Sequence, residues 1–346
     1  MNSQMMAAVL YGKEHLQVEP VAVPKVEKGD ILVGVKVALT CGTDVKVFRR
    51  GYHARMIVPP AVFGHELAGD VVEVGGGAGR FSVGQRVVAA NSAPCDECFF
   101  CRHGQQNLCE DLLFNNGAYA EYIRIPARIV ERNTYIIPDH VSYQDAALAE
   151  PLACVVRGME ETGPRAGDTV TVIGLGPIGL MFVKVAKLYG ARVIAIGRRR
   201  TQLERAGAMG ADDLISTETH RHPVQAVRDM TGGRGTDIAI EAVGKPETWH
   251  WAVDMVRRGG TVNFFGGCPS ETHINLDTNR LHYSEITCKA SFHHTPFYIQ
   301  KALDLVSCGH ITAQDFVNRQ EPLANLLEVM RHLMSHNGHL KTAIIP

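Results

Sequence analysis

The chain has 346 residues, enough to bury two hydrophobic cores, and its 35 Lys and Arg residues nearly balance 36 Asp and Glu residues. A net charge of −1 gives no electrostatic reason to expect a nucleic acid or an anionic membrane as partner, and it favours a small-molecule ligand. The opening residues lack the features of a signal peptide, and no apolar run approaches the ~20 residues that span a bilayer, so we expect a cytoplasmic protein.

The region up to about residue 150 is predicted to be mostly β-structure. Turn-forming stretches such as EKGD, GGGAG and NNG separate short runs rich in β-branched residues, among them ILVGVKVAL, GDVVEVG and QRVVAA. Each run has the length of a strand. We expect residues 1–150 to form one domain, and we expect residues 286–346 to return to it.

Three short motifs in this region carry residue types that bind metals. The motifs TCGTD, FGHELAG and LAEPLACVV supply Cys41, Thr43, Asp44, His65, Glu66 and Glu150. One thiolate, one imidazole and one carboxylate provide three zinc ligands and leave the fourth position for water or a substrate oxygen, as in a catalytic zinc site. Taken singly, each residue is also explained as a core cysteine, a buried histidine or an acid at a helix start.

Four of the nine cysteines cluster in one polar loop with the spacing C-x2-C-x2-C-x7-C, namely Cys95, Cys98, Cys101 and Cys109. Clustered thiols in a reducing cytosol indicate a metal site rather than disulfides. Four thiolates match a closed tetrahedral zinc site that stabilises a small lobe, about residues 91–112. The alternative is an iron–sulfur cluster, but its fourth cysteine usually follows after three residues and precedes proline, whereas Glu110 follows here.

From Asp168 onwards the pattern changes to apolar strands that alternate with helices. The runs TVTVIG, ARVIAIG, DDLIS, DIAIEAVG and GTVNFFGG read as buried strands separated by helical segments. This alternation predicts βαβ units and a doubly wound parallel sheet over residues 151–285.

A glycine-rich turn follows the first of these strands and opens a helix. Its G-x-G-x-x-G spacing predicts a dinucleotide site formed by Gly174, Gly176, Pro177, Ile178 and Gly179. The helix N-terminus offers free N–H groups to a pyrophosphate. The plain alternative is a glycine-rich turn between a strand and a helix.

The end of the second strand predicts which dinucleotide binds. An NAD site usually has Asp or Glu there, whereas this chain has Gly197 followed by Arg198, Arg199 and Arg200. Guanidinium groups bind a 2′-phosphate, so we predict NADP rather than the alternative, NAD. A solvated basic helix start would explain the same residues.

Together these motifs resemble the zinc-dependent medium-chain dehydrogenase family and, within it, the branch of sorbitol and threonine dehydrogenases. The resemblance implies an α/β protein with a GroES-like, mostly-β catalytic domain and a doubly wound Rossmann domain. It also implies two zinc ions per chain. The catalytic zinc would bind Cys41, His65, Glu66 and Glu150, and the structural zinc would bind Cys95, Cys98, Cys101 and Cys109.

The resemblance also assigns roles to neighbours of the ligands. Thr43 matches the hydroxyl that takes the substrate's proton, and Asp44 matches the acid that holds the ligand histidine. Glu66 matches a carboxylate that binds zinc directly or through water. Lys46 stands where relatives such as sorbitol dehydrogenases have a histidine at the outer end of the proton relay, so the exit of the proton departs from the common pattern.

The expected activity is oxidation of a secondary alcohol on a polar small molecule to the ketone, or the reverse. The substrate classes are polyols, sugars, sugar phosphates and amino alcohols, and relatives are homodimers or homotetramers. Two alternatives are a zinc-stabilised interaction or nucleic-acid-binding module and a zinc-free quinone reductase on the same fold. The neutral charge and 7% aromatic content argue against the first, and the presence of Cys41, His65 and Glu150 argues against the second.

Overall fold

A computed structural model describes residues 3–53, 55–335 and 340–346. The chain divides into two compact units. The first unit comprises Met1–Ala153 and His294–Pro346, and the second comprises Cys154–His293.

The first segment of the chain is built mainly from short strands. Its strands are β1 Gln4–Gly12, β2 His15–Ala22, β3 Ile31–Leu39, β4 Ala61–Val62, β5 Glu66–Val74, β6 Arg86–Ala89, β7 Ser92–Ala93, β8 Leu113–Phe114, β9 Tyr122–Ile125 and β10 Thr134–Ile136. Its helices are α1 Gly42–Arg50, α2 Phe99–Arg102, α3 Ala127–Asn133 and α4 Tyr143–Ala147, with a 3-10 turn at Gln106–Leu108.

The middle of the chain alternates strands with helices, as the apolar runs predict. Helix α5, Ala149–Glu160, leads into it. The elements that follow are β11 Thr169–Ile173, α6 Pro177–Leu188, β12 Arg192–Gly197, α7 Arg200–Ala208, β13 Asp213–Ser216, α8 Pro223–Met230, β14 Thr236–Glu241, α9 Pro246–Met255, β15 Val256–Phe264, α10 Thr278–Tyr283 and β16 Thr287–Ala290.

The chain then returns to the first unit. The returning elements are α11 Pro296–Ser307, α12 Ala313–Phe316, β17 Val317–Pro322, a 3-10 turn at Leu323–Asn325, α13 Leu326–Met334 and β18 Lys341–Ile345. Among the described residues, every helix is too short or too polar to span a lipid bilayer.

Strand β3 is central to the first unit. The largest sheet has the order β10-β6-β5-β3-β18-β17, and β9 also pairs with β3. In the antiparallel registers Leu39 lies opposite Glu66 of β5 and opposite Ala343 of β18. The carboxyl end of β3, the start of β5 and the start of β18 therefore meet at one point, next to the start of α1.

The second unit contains one six-stranded sheet in the order β13-β12-β11-β14-β15-β16, and all its pairings are parallel. Apolar side chains of the strands and of α8 and α9 form its core. The strand order reverses between β11 and β14, which makes this the switch point of the sheet, where open parallel sheets bind ligands. The glycine-rich turn follows β11 and lies at this point.

The boundary of the second unit differs from the position taken from the sequence. Strand β16 pairs with β15, and the return to the first unit comes at His294 rather than at residue 286. Three of the four residues in β16 are exposed. A short edge strand of this kind has no apolar run to mark it in the sequence.

Candidate active site and metal centres

Cys41 is the N-cap residue of α1, and a capping box fixes its position. The Thr43 backbone N–H donates to Cys41 Sγ at 3.4 Å, and the Cys41 N–H donates to Asp44 Oδ2 at 3.0 Å. The reciprocal bonds satisfy backbone donors that every helix start leaves open. The thiol is thereby held at the carboxyl end of β3.

Asp44 is 1% exposed and connects α1 to the imidazole of His65. Its Oδ1 lies 2.9 Å from His65 Nδ1, and the Tyr119 hydroxyl donates to its Oδ2 at 2.6 Å. With Nδ1 paired to a carboxylate, the other ring nitrogen of His65 is left for a metal, which is the usual arrangement of ligand histidines. Sequence reasoning did not identify Tyr119.

The surroundings of His65 favour positive charge. Burial lowers the pKa of His65, but the Asp44 carboxylate and the Cys41 sulfur outweigh it and raise this pKa well above its usual value. One ligand atom each from Cys41, His65 and Glu66 lies within 4.8 Å of the other two. A soft thiolate, an imidazole and a carboxylate fit a zinc ion.

Lys341 is a residue of this site that sequence reasoning missed. Its Nζ lies 2.7 and 2.6 Å from the two oxygens of Glu66 and 3.1 Å from the Thr40 carbonyl oxygen. Lys341 is 2% exposed and Glu66 is fully buried. Burial lowers the pKa of Lys341, but Glu66 and Cys41 outweigh it and raise this pKa above its usual value. The ammonium group therefore compensates the carboxylate inside the protein.

Glu150 lies near the three donors but outside their group. Burial raises its pKa to about 7, and the nearby charges of His65 and Glu66 also act on it. Glu150 Oε1 is 3.7 Å from His294 Nε2, and this nitrogen is 2.9 Å from Asn91 Oδ1. The structure thus brings the predicted fourth ligand close to the others without placing it in the same donor group.

Thr43 and Lys46 lie on the first turns of α1. Thr43 is partly exposed and Lys46 is exposed. Residues three apart on a helix are neighbours on one face, so the two side chains follow one another outward from Cys41. Their arrangement is compatible with a proton path from the site to solvent.

The four clustered cysteines converge in one lobe, with one sulfur from each within 4.8 Å of the others. The Sγ–Sγ distances include 3.4 Å for Cys95–Cys109, 4.0 Å for Cys95–Cys101 and 4.0 Å for Cys98–Cys109. Four sulfurs around one zinc lie about 3.8 Å apart, given Zn–S bonds of about 2.3 Å. Backbone N–H groups of Glu110 and Cys101 lower the pKa of Cys98 to about 6. The lobe therefore fits a single zinc ion.

The glycine-rich turn in the second unit is packed as the motif predicts. Gly174 has φ +95°, and a Cβ on Gly179 would lie 1.7 Å from the Gly174 carbonyl oxygen. A Cβ on Gly176 would meet no atom within 4 Å. Pro177 begins α6, with Gly176 as its N-cap residue. Gly179 is thus required by the fold, whereas Gly176 leaves space for a ligand.

This difference predicts opposite effects of two alanine substitutions. Gly179→Ala should prevent the second unit from folding, because backbone must move to accept the methyl group. Gly176→Ala should keep the melting temperature within about 2 °C of wild type. It should nevertheless raise the Kd for the dinucleotide about tenfold or more, because the methyl group blocks the approach of a pyrophosphate. Thermal melts and calorimetric titrations measure both; equal melting temperatures for the two variants would contradict the prediction.

The three arginines after β12 differ in their surroundings. Arg198 and Arg200 are exposed and Arg199 is partly exposed. Arg200 Nε donates to Glu204 Oε1 at 2.8 Å, so its charge is already paired along α7. Burial and the charge of Arg198 lower the pKa of Arg199. Arg200 is therefore already engaged in an ion pair within α7, which distinguishes it from Arg198 and Arg199.

Comparison with known proteins identifies the family. Residues 27–138 match the alcohol dehydrogenase GroES-like domain, and residues 177–307 match the zinc-binding dehydrogenase family. The sorbitol dehydrogenase of Bacillus subtilis is 31% identical over 99% of this chain and 97% of its own length. The chain belongs to the zinc-dependent medium-chain dehydrogenase family. It is an oxidoreductase.

Two further similarities place this dehydrogenase within its family. The L-threonine 3-dehydrogenase of Bacillus licheniformis is 37% identical over 73% of each chain. A solved structure described as a zinc-binding dehydrogenase from Sinorhizobium meliloti, bound to NADP, has a TM-score of 0.92, 29% identity and full coverage of both chains. The predicted family and the predicted fold class are confirmed. Membership of an enzyme family argues against the non-enzymatic interaction module.

Proposed function

We propose that the protein is a zinc-dependent dehydrogenase that converts a secondary alcohol of a polar small molecule to a ketone, or the reverse, with NADP. The convergence of Cys41, His65 and Glu66 at the end of β3 carries the proposal. The substrate class follows from relatives named sorbitol, threonine and arabitol-phosphate dehydrogenases. Polyols, sugars, sugar phosphates and amino alcohols are therefore the substrates to test.

Two metal sites are part of this proposal. Cys41, His65, Glu66 and Glu150 would hold a catalytic zinc, and Cys95, Cys98, Cys101 and Cys109 would hold a structural zinc. A zinc ion at the first site would supply a Lewis acid for the substrate oxygen, and a nicotinamide dinucleotide would accept or supply the hydride.

The protein's own residues have separate tasks in the proposed reaction. Asp44 holds the Nδ1–H of His65 and so fixes the orientation of the ring. Lys341 holds both oxygens of Glu66 and lowers its pKa, which partly offsets the rise in this pKa that burial causes. Thr43 accepts the proton from the substrate hydroxyl as its own hydroxyl proton passes on to water, and Lys46 lies further along the same helix face, at the outer end of this path.

The preference for NADP should depend on Arg198 and Arg199. We expect kcat/KM to be at least about tenfold higher with NADP than with NAD, because a guanidinium binds a 2′-phosphate and because β12 ends at Gly197, where NAD sites usually have a carboxylate that binds a ribose hydroxyl. A double substitution of Arg198 and Arg199 by Ala should remove most of this ratio by raising KM for NADP. Steady-state kinetics with both cofactors measure it.

Arg200 offers the matched control for this test. Its side chain is 92% exposed and paired with Glu204, so Arg200→Ala should leave the cofactor ratio unchanged. A wild-type protein that uses NAD as well as NADP would contradict the predicted preference.

A substrate panel tests the proposed function itself. Polyols, sugar phosphates and amino alcohols would be assayed with NADP and with NAD, together with the zinc content per chain. Oxidation of at least one class, with two zinc ions per chain, is the expected result. Absence of turnover on every class with both cofactors would count against the proposal. We also propose a cytoplasmic homodimer or homotetramer, which light scattering and cell fractionation test.

A further inference from the structure

Glu241 is a fully buried carboxylate at the carboxyl end of β14. Its Oε1 accepts hydrogen bonds from the Val243 N–H at 2.8 Å, from the Gly244 N–H at 3.0 Å and from the Thr248 hydroxyl at 2.7 Å. These donors belong to the turn after β14 and to the first helical turns of α9. One side chain therefore fixes the conformation of the whole connection from the strand to the helix.

The backbone of Glu241 fixes the neighbouring connection as well. Its carbonyl oxygen accepts from the Phe265 N–H at 3.0 Å and from the Gly266 N–H at 2.8 Å. A Cβ on Gly266 would lie 2.4 Å from the Gly244 nitrogen and 2.5 Å from Glu241 Oε2. The turns that follow β14 and β15 are therefore packed against each other around this carboxylate.

The turn after β14 also contacts the glycine-rich turn after β11. The Ala242 N–H donates to the Ile173 carbonyl oxygen at 2.8 Å. A Cβ on Gly174 would lie 2.5 Å from Val243 Cγ2 and 3.2 Å from the Ala242 carbonyl carbon. If residues 242–244 moved, their contacts with Gly174, the first glycine of the motif, would change directly.

This contact lies at the switch point of the sheet. Ile173 and Glu241 are register partners at the carboxyl ends of β11 and β14, between which the strand order reverses. A ligand bound by a doubly wound sheet occupies the crevice at these strand ends. The shape of that crevice on the β14 side depends on the turn that Glu241 holds.

We propose that Glu241 is a positioning residue for the dinucleotide. It holds residues 242–244 against the glycine-rich turn and so forms one wall of the cofactor site before the cofactor binds. This inference rests on the proposed use of a dinucleotide. A preformed wall lowers the ordering cost of binding, so Glu241 acts on cofactor affinity without touching the reacting atoms.

Variants at Glu241 separate positioning from general stability. Glu241→Ala takes the side-chain acceptor away from the part-buried N–H groups of Val243 and Gly244 and leaves the Thr248 hydroxyl with only the Lys245 carbonyl oxygen, so the turn should lose its fixed conformation. We expect the Kd for NADP to rise about tenfold or more. Glu241→Gln keeps one acceptor oxygen and should raise the Kd less. If the alanine variant fails to fold, Glu241→Gln and Thr248→Val provide the same comparison.

Asp237, at the opposite end of β14, gives the matched control. It accepts from the Thr169 N–H at 2.8 Å and from Arg257 Nε at 2.5 Å, and it lies away from the glycine-rich turn in the strand register. Asp237→Ala should lower the melting temperature and leave the Kd for NADP unchanged. The comparison therefore separates the effect of the position of the carboxylate from the effect of losing a hydrogen-bonded acid on β14.

The experiment is calorimetric titration of the full-length protein with NADP and with NAD, followed by steady-state kinetics. Positioning predicts a higher Kd and a higher KM for the cofactor in Glu241→Ala, with zinc content unchanged. Wild-type affinity in Glu241→Ala and Glu241→Gln would overturn the inference, and so would an equal rise of Kd in Asp237→Ala. A wild-type protein that binds neither dinucleotide would instead overturn the proposed function.

Discussion

A Cys41→Ser variant is expected to keep its fold and to lose at least about 99% of its kcat/KM for the alcohol, a loss of about 100-fold. Serine is a favourable N-cap residue, so helix α1 should still begin at Gly42 and the melting temperature should change little. A neutral hydroxyl is a far weaker zinc ligand than a thiolate. The fall in activity should therefore follow the loss of one zinc ion per chain.

The measurement combines steady-state kinetics, metal analysis and thermal melting on the same preparation. Cys308→Ser is the control, because Cys308 is exposed and belongs to neither cysteine-containing donor group described above. It should match wild type in all three. A Cys41→Ser protein with wild-type turnover would contradict the assignment of Cys41 as a ligand.

The second large effect is expected in the cysteine lobe. Cys98→Ser should lower the melting temperature by roughly 5–15 °C and remove one zinc ion per chain, because the lobe depends on the metal for stability. Only two apolar side chains of its helix α2, Phe99 and Phe100, are available for packing, and Phe99 is 61% exposed. A hydrophobic core cannot replace the metal there.

This variant should behave in the opposite way to Cys41→Ser. Its kcat measured well below the melting temperature should stay within a few-fold of wild type, since the lobe supplies no residue to the group of Cys41, His65 and Glu66. Differential scanning calorimetry and metal analysis test it. An unchanged melting temperature at full loss of one zinc would show that the lobe does not depend on the ion.

The parts of the fold with a local signature could be predicted from the sequence. The apolar strands after Asp168 alternate with helices, and this pattern led to the parallel sheet that the structure contains. The glycine-rich turn was recognised because its function depends on consecutive residues. The four clustered cysteines were grouped for the same reason. In each case the residues that act together are close in the chain.

The parts that depend on strand register were not predicted. Lys341 meets Glu66 because β18 and β5 both pair with β3, and no local pattern in KTAIIP indicates a buried ammonium group. Tyr119 reaches Asp44 from another segment, and its role is equally invisible in sequence. The sequence pattern predicts the wrong side of the boundary for β16, because most of the side chains of this strand are exposed. Pairings between distant segments need the three-dimensional structure.

The role of Glu241 is equally invisible in the sequence. The run DIAIEAVG indicates a buried strand, in which an acid at the end is commonly a turn residue. Its importance follows from the hydrogen bonds that its side chain and its carbonyl oxygen accept from two connections. Such a role becomes visible once β14 is placed beside β11.

The most direct test of the central claim is metal removal from the wild-type protein, with zinc content and turnover measured at each step. We predict two zinc ions per chain before treatment. Turnover should fall in proportion to the loss of zinc from the site of Cys41, His65 and Glu66, and zinc addition should restore it. Undiminished alcohol oxidation by a protein that has lost both ions would contradict the account.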